Sequence, residues 1–385
     1  MGFPSWDKFL ENATVNGKIW RQDFVKTLSN PSVAYVVGNC YDWAIAPGSP
    51  VQNLYPGVTL VAQTPTDIGV GGGIYHGGNV PTGDTKHIVN GGVYSAIATA
   101  VPSPIYLVDS VMYYPTIDCK DTGSKTLVNA NTFTGSSSTG LLLTYTNDFA
   151  NLTSVKFSNS GGALPTGLNN TDIFWTIRVG ATSCKVATSL ANAIAGTYIT
   201  YTNDGTGTNT MTVTPNRYAD GVGLRAYVVV TVQSGNPATT PTFIMTYYNQ
   251  TGAEKSMGAT VQFTVGGTNI PQVGKILHSG VAANNYGFFL PLAAGDSGIR
   301  GIKTFQISPA YTTATTVTAA IVLVKPLGFL PLVAASVLGE RNFTNQMPSW
   351  PKVYDHAALN FLQFAGGATA LNAPILGFIE TAWGS

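Results

Sequence analysis

Val222-Gly-Leu-Arg-Ala-Tyr-Val-Val-Val-Thr-Val232 is a nearly continuous apolar run, rich in β-branched residues. Such a run suits a central strand buried on both faces, because a half-exposed strand would alternate. Thr260-Val-Gln-Phe-Thr-Val265 does alternate and reads as half exposed. Val317 to Val324 reads as a second buried strand, stopped by Lys325-Pro326. Together these segments make residues 214–324 the core of a β-sandwich or jelly-roll-like unit.

Working upstream, a faint echo links Leu142-Leu-Thr-Tyr-Thr-Asn147, Tyr198-Ile-Thr-Tyr-Thr-Asn203 and Ile244-Met-Thr-Tyr-Tyr-Asn249. Each reads as a half-buried strand running into a turn. Convergent strand-then-turn composition explains the echo as well as duplication does. Residues 31–125 are irregular and rich in Gly and Pro. Short strands are expected at Ala34–Val37 and Ile105–Val108, with Pro102, Pro104 and Pro115 breaking continuity. Gly69-Val-Gly-Gly-Gly-Ile-Tyr-His-Gly-Gly78 lacks the Gly-Lys-Ser/Thr ending of a phosphate loop, so it reads as backbone that turns tightly. Residues 1–30 are the most helix-like. Trp20, Phe24 and Leu28 are spaced for one helical stripe, after a first patch with Trp6 and Phe9. That segment either packs on its own domain or serves as an inter-subunit arm through Trp6, Phe9, Trp20, Phe24 and Leu28. In the tail, residues 355–364 fit strand or short helix, and Ile375–Trp383 fits a closing strand. The expected fold is mainly β, with two or three β-sandwich or jelly-roll-like domains behind a short helical N-terminal segment. The expected divisions are a helical arm over 1–30, an irregular β domain over 31–125, a β domain over 126–213 and a β-sandwich domain over 214–385.

Composition narrows function more than any motif. Only 10% of the 385 residues are charged, against roughly 25% in an ordinary soluble domain, while 43 are glycine. Acid, base and metal chemistry needs titratable groups, and this chain is poor in them. The formal charge is +1, with no basic stripe, so no direct nucleic-acid partner is expected. Near-zero charge favours self-association, which suits a homo-oligomer. Cys40, Cys119 and Cys184 form no Cys-x-x-Cys and read as reduced, buried thiols. No signal peptide, lipidation motif or bilayer-length apolar run is apparent, so no membrane partner is expected.

Candidate chemistry is sparse. His76 and His87 are close enough in sequence to meet near Asp84 at a metal, although isolated roles fit better. His278-Ser279 and Asp355-His356 suggest a Ser-His-Asp arrangement, but no Gly-x-Ser-x-Gly elbow supports one. Asp204, Asp220, Glu254 and Asp296 sit in turn contexts rather than as a paired glycosidase set. The loop Tyr201–Gly205 and the turn at Asn147-Asp148 offer oxygens to Ca2+ without forming a twelve-residue calcium loop. Six tryptophans, Trp6, Trp20, Trp43, Trp175, Trp350 and Trp383, suit core and interface packing better than a sugar platform. No enzyme activity, cofactor or metal is therefore expected.

Several strings nevertheless resemble tailed-bacteriophage virion structural proteins of the head-associated, minor capsid type. They are His278–Arg300, Ala335-Ser-Val-Leu-Gly-Glu-Arg341, Met347-Pro-Ser-Trp-Pro-Lys-Val-Tyr-Asp355, Ala382-Trp-Gly384, and the opening Met1-Gly-Phe-Pro-Ser-Trp-Asp7 with Asn16-Gly-Lys-Ile-Trp20. The resemblance implies a particle component assembled in the bacterial cytoplasm, with other virion proteins as partners and no catalytic residues. A decoration, cement or vertex subunit is expected first. A fibre adhesin binding host glycan is the alternative, and a main shell subunit, which would need a long spine helix, the second alternative.

Overall fold

The computed structural model describes residues 3, 5–27, 38–67, 73–98, 101–143, 145, 147–232, 241–263, 273–277, 287–310, 317–346, 350–366 and 373–385. The fold is mainly β, as expected, with sandwich- and barrel-like units behind a short helical segment. Two barrels close. One joins Arg225–Val232, Lys275–Leu277, Cys40–Asp42, Leu359–Phe364, Ser103–Asp118 and Thr318–Leu332. The other joins Phe174–Gly180, Ser183–Ala187, Leu141–Leu143, Ala130–Ser136, Thr208–Val213 and Ser154–Ser160. All the named ladders are antiparallel. Strands from 31–125 are thus interleaved with strands from 214–385 in one barrel instead of folding apart, whereas the second barrel lies wholly within 130–213.

Two open sheets complete the molecule. Glu254–Ser256, Thr242–Asn249, Ile299–Ser308 and Lys125–Thr126 form one, with Val261–Gln262 paired to Thr242–Asn249. The other runs Gly339–Asn342, Thr85–Tyr94, Pro374–Gly384, Ile19–Thr27, Gly48–Ser49, with Lys352–Val353 added beside Thr85–Tyr94.

The apolar run that opens the sequence reading forms Arg225–Val232, buried continuously from Ala226 to Val230 between two neighbouring strands. Its partner Thr318–Leu332 is not stopped at Lys325-Pro326. A register shift between Pro326 and Gly328 absorbs the missing N–H, and pairing to Ser103–Asp118 continues to Leu332. Pro104 and Pro115 likewise lie inside Ser103–Asp118 and do not break it. Pro115 falls where that ladder shifts register opposite Ala319 and Ile321.

The helical reading of Trp20 and Phe24 is corrected. Ser5 caps a short helix, Trp6–Leu10, which runs into a π-helical turn, Glu11–Val15. Asn16-Gly17 then ends the helix, and Ile19–Thr27 is a strand paired along its length with Pro374–Gly384. Residues four apart share a face in a strand as well as in a helix, so the spacing did not discriminate. Leu28 and Ala34–Val37 lie outside the described residues. The tail resolves as the strands Leu359–Phe364 and Pro374–Gly384. Of the three echo segments, 198–203 forms no strand, yet Tyr145, Tyr201 and Tyr247 are all buried.

Candidate functional site

One buried cluster of titratable groups brings together Asp109 of the barrel strand Ser103–Asp118, Lys86 of the strand Thr85–Tyr94, and Asp67, His76, Arg217 and His356 from loops. Arg217 and Asp109 form a buried pair. Arg217 Nε donates to Asp109 Oδ2 at 2.7 Å and its Nη2 to Oδ1 at 2.8 Å. The same guanidinium donates to the carbonyls of Pro65 and Ser110 and to Asn216 Oδ1, while Asp109 also accepts from the Ala358 amide at 3.0 Å. Burial raises the Asp109 pKa, opposed chiefly by the Arg217 charge.

Beside this pair, Asp67 stands between two histidines. Its Oδ2 is 3.5 Å from His76 Nε2 and its Oδ1 is 3.5 Å from His356 Nδ1. All four atoms are buried and none makes a hydrogen bond. Neighbours fix both tautomers. Lys86 Nζ lies 3.2 Å from His76 Nδ1 and donates to the carbonyls of His76 and Gly78. Three acceptors suit an ammonium, so His76 Nδ1 accepts and its ring proton sits on Nε2, facing Asp67. Asn79 Nδ2 lies 2.9 Å from His356 Nε2 and donates to it, which leaves the second ring proton on Nδ1, again facing Asp67. Burial, then the Lys86 charge, lowers His76 to about 4, and burial lowers Lys86 to about 8.

This arrangement does not suit a metal, because each nitrogen aimed at Asp67 already carries a proton. Among the described residues, no cluster of three His, Cys, Asp or Glu side chains could hold an ion. No hydrogen bond among the described residues joins either ring to a Ser, Thr or Cys side chain. The cluster sits where three loops, at 64–67, 75–80 and 355–358, meet, and the clamp is made by its surroundings: Lys86 Nζ holds the His76 and Gly78 carbonyls, and Asp355 Oδ1 accepts from the Val80 amide.

The residues singled out from sequence disperse. His87 Nδ1 faces the Trp350 carbonyl at 3.3 Å, and Asp84 pairs with Lys18 at 2.8 Å, so His76, His87 and Asp84 do not converge. His278 lies outside the described residues. Of the oxygens weighed for Ca2+, Asp204 Oδ1 accepts from the Ser137 amide and both Asp148 carboxylate oxygens accept from Arg178. Trp6 and Phe9 join Phe3 and Trp350 in an edge-to-face aromatic cluster, Trp20 packs on Tyr75, and Phe24 is buried against Trp43 and Phe361. Cys40, Cys119 and Cys184 are buried and unbridged, as expected.

Sequence reading missed Asp67, Asp109 and Arg217, and it missed an open hollow of about 590 Å³ lined by Tyr218, Lys325, Pro351, Lys352 and Tyr354. Tyr218 and Tyr354 meet edge-on in its wall, with ring centroids 4.8 Å apart. Nothing in the local sequence marks either feature, since Arg217 lies 108 residues from Asp109 and Tyr218 lies more than a hundred from Lys325, Pro351, Lys352 and Tyr354.

No family model matches the chain, and no curated protein does. Among solved structures, it is similar to a mutant VP2 protein of infectious bursal disease virus in derived T=1 particles, at 10% identity over 80% of each chain with a TM-score of 0.12. A likeness at that score carries no argument about fold or role.

Proposed function

We propose that this chain is a structural component of a bacteriophage virion, a decoration, cement or vertex subunit associated with the capsid. The observation that carries the reading is where the scarce charge goes. Lys26, Lys86, Lys275, Arg217, Asp42 and Asp109 are each no more than 3% exposed in a chain with only 10% charged residues. Asp42 accepts from Tyr55, from Tyr227 at 2.7 Å, from Asn360 at 2.6 Å and from the Ala44 amide at 2.8 Å. Charge is used to lock loops onto barrels, as in a durable shell, and the phage-like strings agree. Among the described residues the longest helical stretch runs only from Trp6 to Val15, which favours an accessory subunit over a shell subunit with a long spine.

Cryo-electron microscopy of the intact particle tests this. Density for the chain on the capsid lattice or its vertices is expected, and its absence from particles overturns the reading. One observation favours a second reading, a glycan-binding fibre adhesin: the Tyr218–Tyr354 hollow has the aromatic wall and cationic rim that a sugar face uses. Density confined to a fibre, with glycan binding lost in Tyr354→Ala, would establish that reading instead.

A further inference from the structure

The strand Ile19–Thr27 has one complete edge and one open edge. Pro374–Gly384 covers the first from Ile19 to Thr27, whereas Gly48–Ser49 covers the second only at Val25 and Lys26. Two backbone bonds fix which residues face outward. The Thr27 amide donates to Pro47 on the Gly48–Ser49 side, and the Lys18 carbonyl accepts from Trp383 on the other. Backbone groups alternate along a strand, so Ile19, Arg21 and Asp23 direct their N–H and C=O groups to the open edge. Among the described residues the only partner there is the Gln22 side-chain amide, which donates to the Asp23 carbonyl at 2.8 Å. The side chains of Arg21 and Asp23 are 50% and 73% exposed, and within the chain Arg21 Nε reaches Asp23 Oδ1 at 3.1 Å and its Nη1 reaches Glu380 Oε1 at 3.3 Å, surface pairs that can exchange for the same pairing across copies.

We propose that this edge pairs, antiparallel and about a two-fold axis, with the same strand of a second copy of the chain. The sequence selects a single register. Outward-facing residues must oppose outward-facing residues, so the axis passes through a residue position; centring on Trp20 leaves Arg21 against Ile19 without a counter-charge, and three further centres set charge against charge. Centring on Arg21 sets arginine against arginine, and centring on Asp23 sets aspartate against aspartate. Centring on Gln22 sets Arg21 of each copy against Asp23 of the other, Trp20 against Phe24, and Gln22 against Gln22. The strand Trp20-Arg-Gln-Asp-Phe24 is thus complementary to its own reverse in charge and in aromatic content. Charge on an edge strand ordinarily prevents pairing by repulsion. Here opposite signs two residues apart exclude the neighbouring registers and stabilise this one.

The inference deepens the oligomeric part of the proposed function, and its test uses the purified full chain without particles. In this register the two copies of residue 22 form a non-hydrogen-bonded pair with Cα atoms about 4.5 Å apart, within disulfide reach. Under mild oxidation Gln22→Cys is expected to give a covalent dimer, and Arg21→Cys, whose opposite residue is Asp23, is not. The three native cysteines are buried and stay silent. By sedimentation velocity, Asp23→Arg, which sets like charges together twice, is expected to weaken dimerisation about tenfold. Arg21→Asp combined with Asp23→Arg restores it. Failure of Gln22→Cys to cross-link, equal cross-linking by Arg21→Cys, or no change with Asp23→Arg overturns the proposal. A dimer formed by a chain absent from particles would retain the pairing and remove the virion role. Incorporation of a chain that never pairs would do the reverse.

Discussion

Replacing Arg217 with methionine removes one half of a fully buried ion pair while roughly keeping side-chain volume. The wild-type guanidinium makes five hydrogen bonds, two of them to Asp109. In Arg217→Met the Asp109 carboxylate keeps only the Ala358 amide, and the Pro65 and Ser110 carbonyls lose a donor in a site closed to water. Breaking a buried pair in this way costs about 3–5 kcal/mol, because a desolvated charge is left without its counter-charge. Unfolding entropy near ~2.1 cal/mol/K per residue gives ~0.8 kcal/mol/K for 385 residues melting together, so the midpoint should fall by ~5 °C. Differential scanning calorimetry on Arg217→Met, Asp109→Leu and the double variant measures this. The double variant is expected to recover more than half of the single loss, since an apolar replacement of the whole pair is close to neutral. A shift of ~1 °C or less in the single variant, or strictly additive losses in the double, would refute the claim that the pair is desolvated and coupled.

Three further outcomes follow from named groups. His76 titrates near 4 in the fold against 6.5 unfolded, so between those values the unfolded chain binds the extra proton and stability rises with pH. Urea midpoints should therefore fall between pH 6.5 and 4 by an amount equivalent to about 3 kcal/mol, and His76→Gln should flatten that slope. Lys26, Lys86 and Lys275, lowered to about 8 by burial from 10.5, act in the same sense at higher pH. Stability should climb from pH 8 to about 10, where ionisation of buried tyrosines such as Tyr55 and Tyr227 reverses the trend, and a flat profile over that window would count against the burial of all three ammonium groups. In Gly339→Ala the new Cβ would meet the Pro331 carbonyl oxygen at 1.6 Å, which forces backbone to move. A loss of about 2–3 kcal/mol is expected, whereas Gly123→Ala, facing only the Asp121 and Lys125 side-chain ends, should be neutral by the same denaturant assay.

The sequence showed the elements whose burial is uniform and hid those whose geometry depends on distant partners. Arg225–Val232 was legible because five consecutive buried residues admit few alternatives. The 15-residue strand Thr318–Leu332 was legible only to its proline, because the register shift that accommodates Pro326 is a property of the ladder with Ser103–Asp118. Ile19–Thr27 read as helix because a four-residue spacing suits both periods, and the partner that decides between them is at the other end of the chain. The clamp was hidden for the same reason. His76 was noticed, but its partners are Asp67 and Lys86, with His356 on the other oxygen of Asp67, and no local spacing joins residues 67 and 356. The histidine it was first matched with, His87, is close in sequence and turned toward Trp350 instead.

Ile19 faces Ala382 across a shared ladder. At about 5–20 residues per second, a ribosome takes roughly 20–70 s to make the chain between them. Throughout that interval the first strand has no partner for its long edge, and neither does Thr85–Tyr94, which also pairs with Pro374–Gly384. The nascent chain can close the 130–213 barrel early, but this sheet must wait until residues 374–384 have been made. Any product truncated before residue 374 leaves two hydrogen-bonding edges bare, so premature termination should yield species that chaperones and proteases can distinguish from the chain that carries its partner strand.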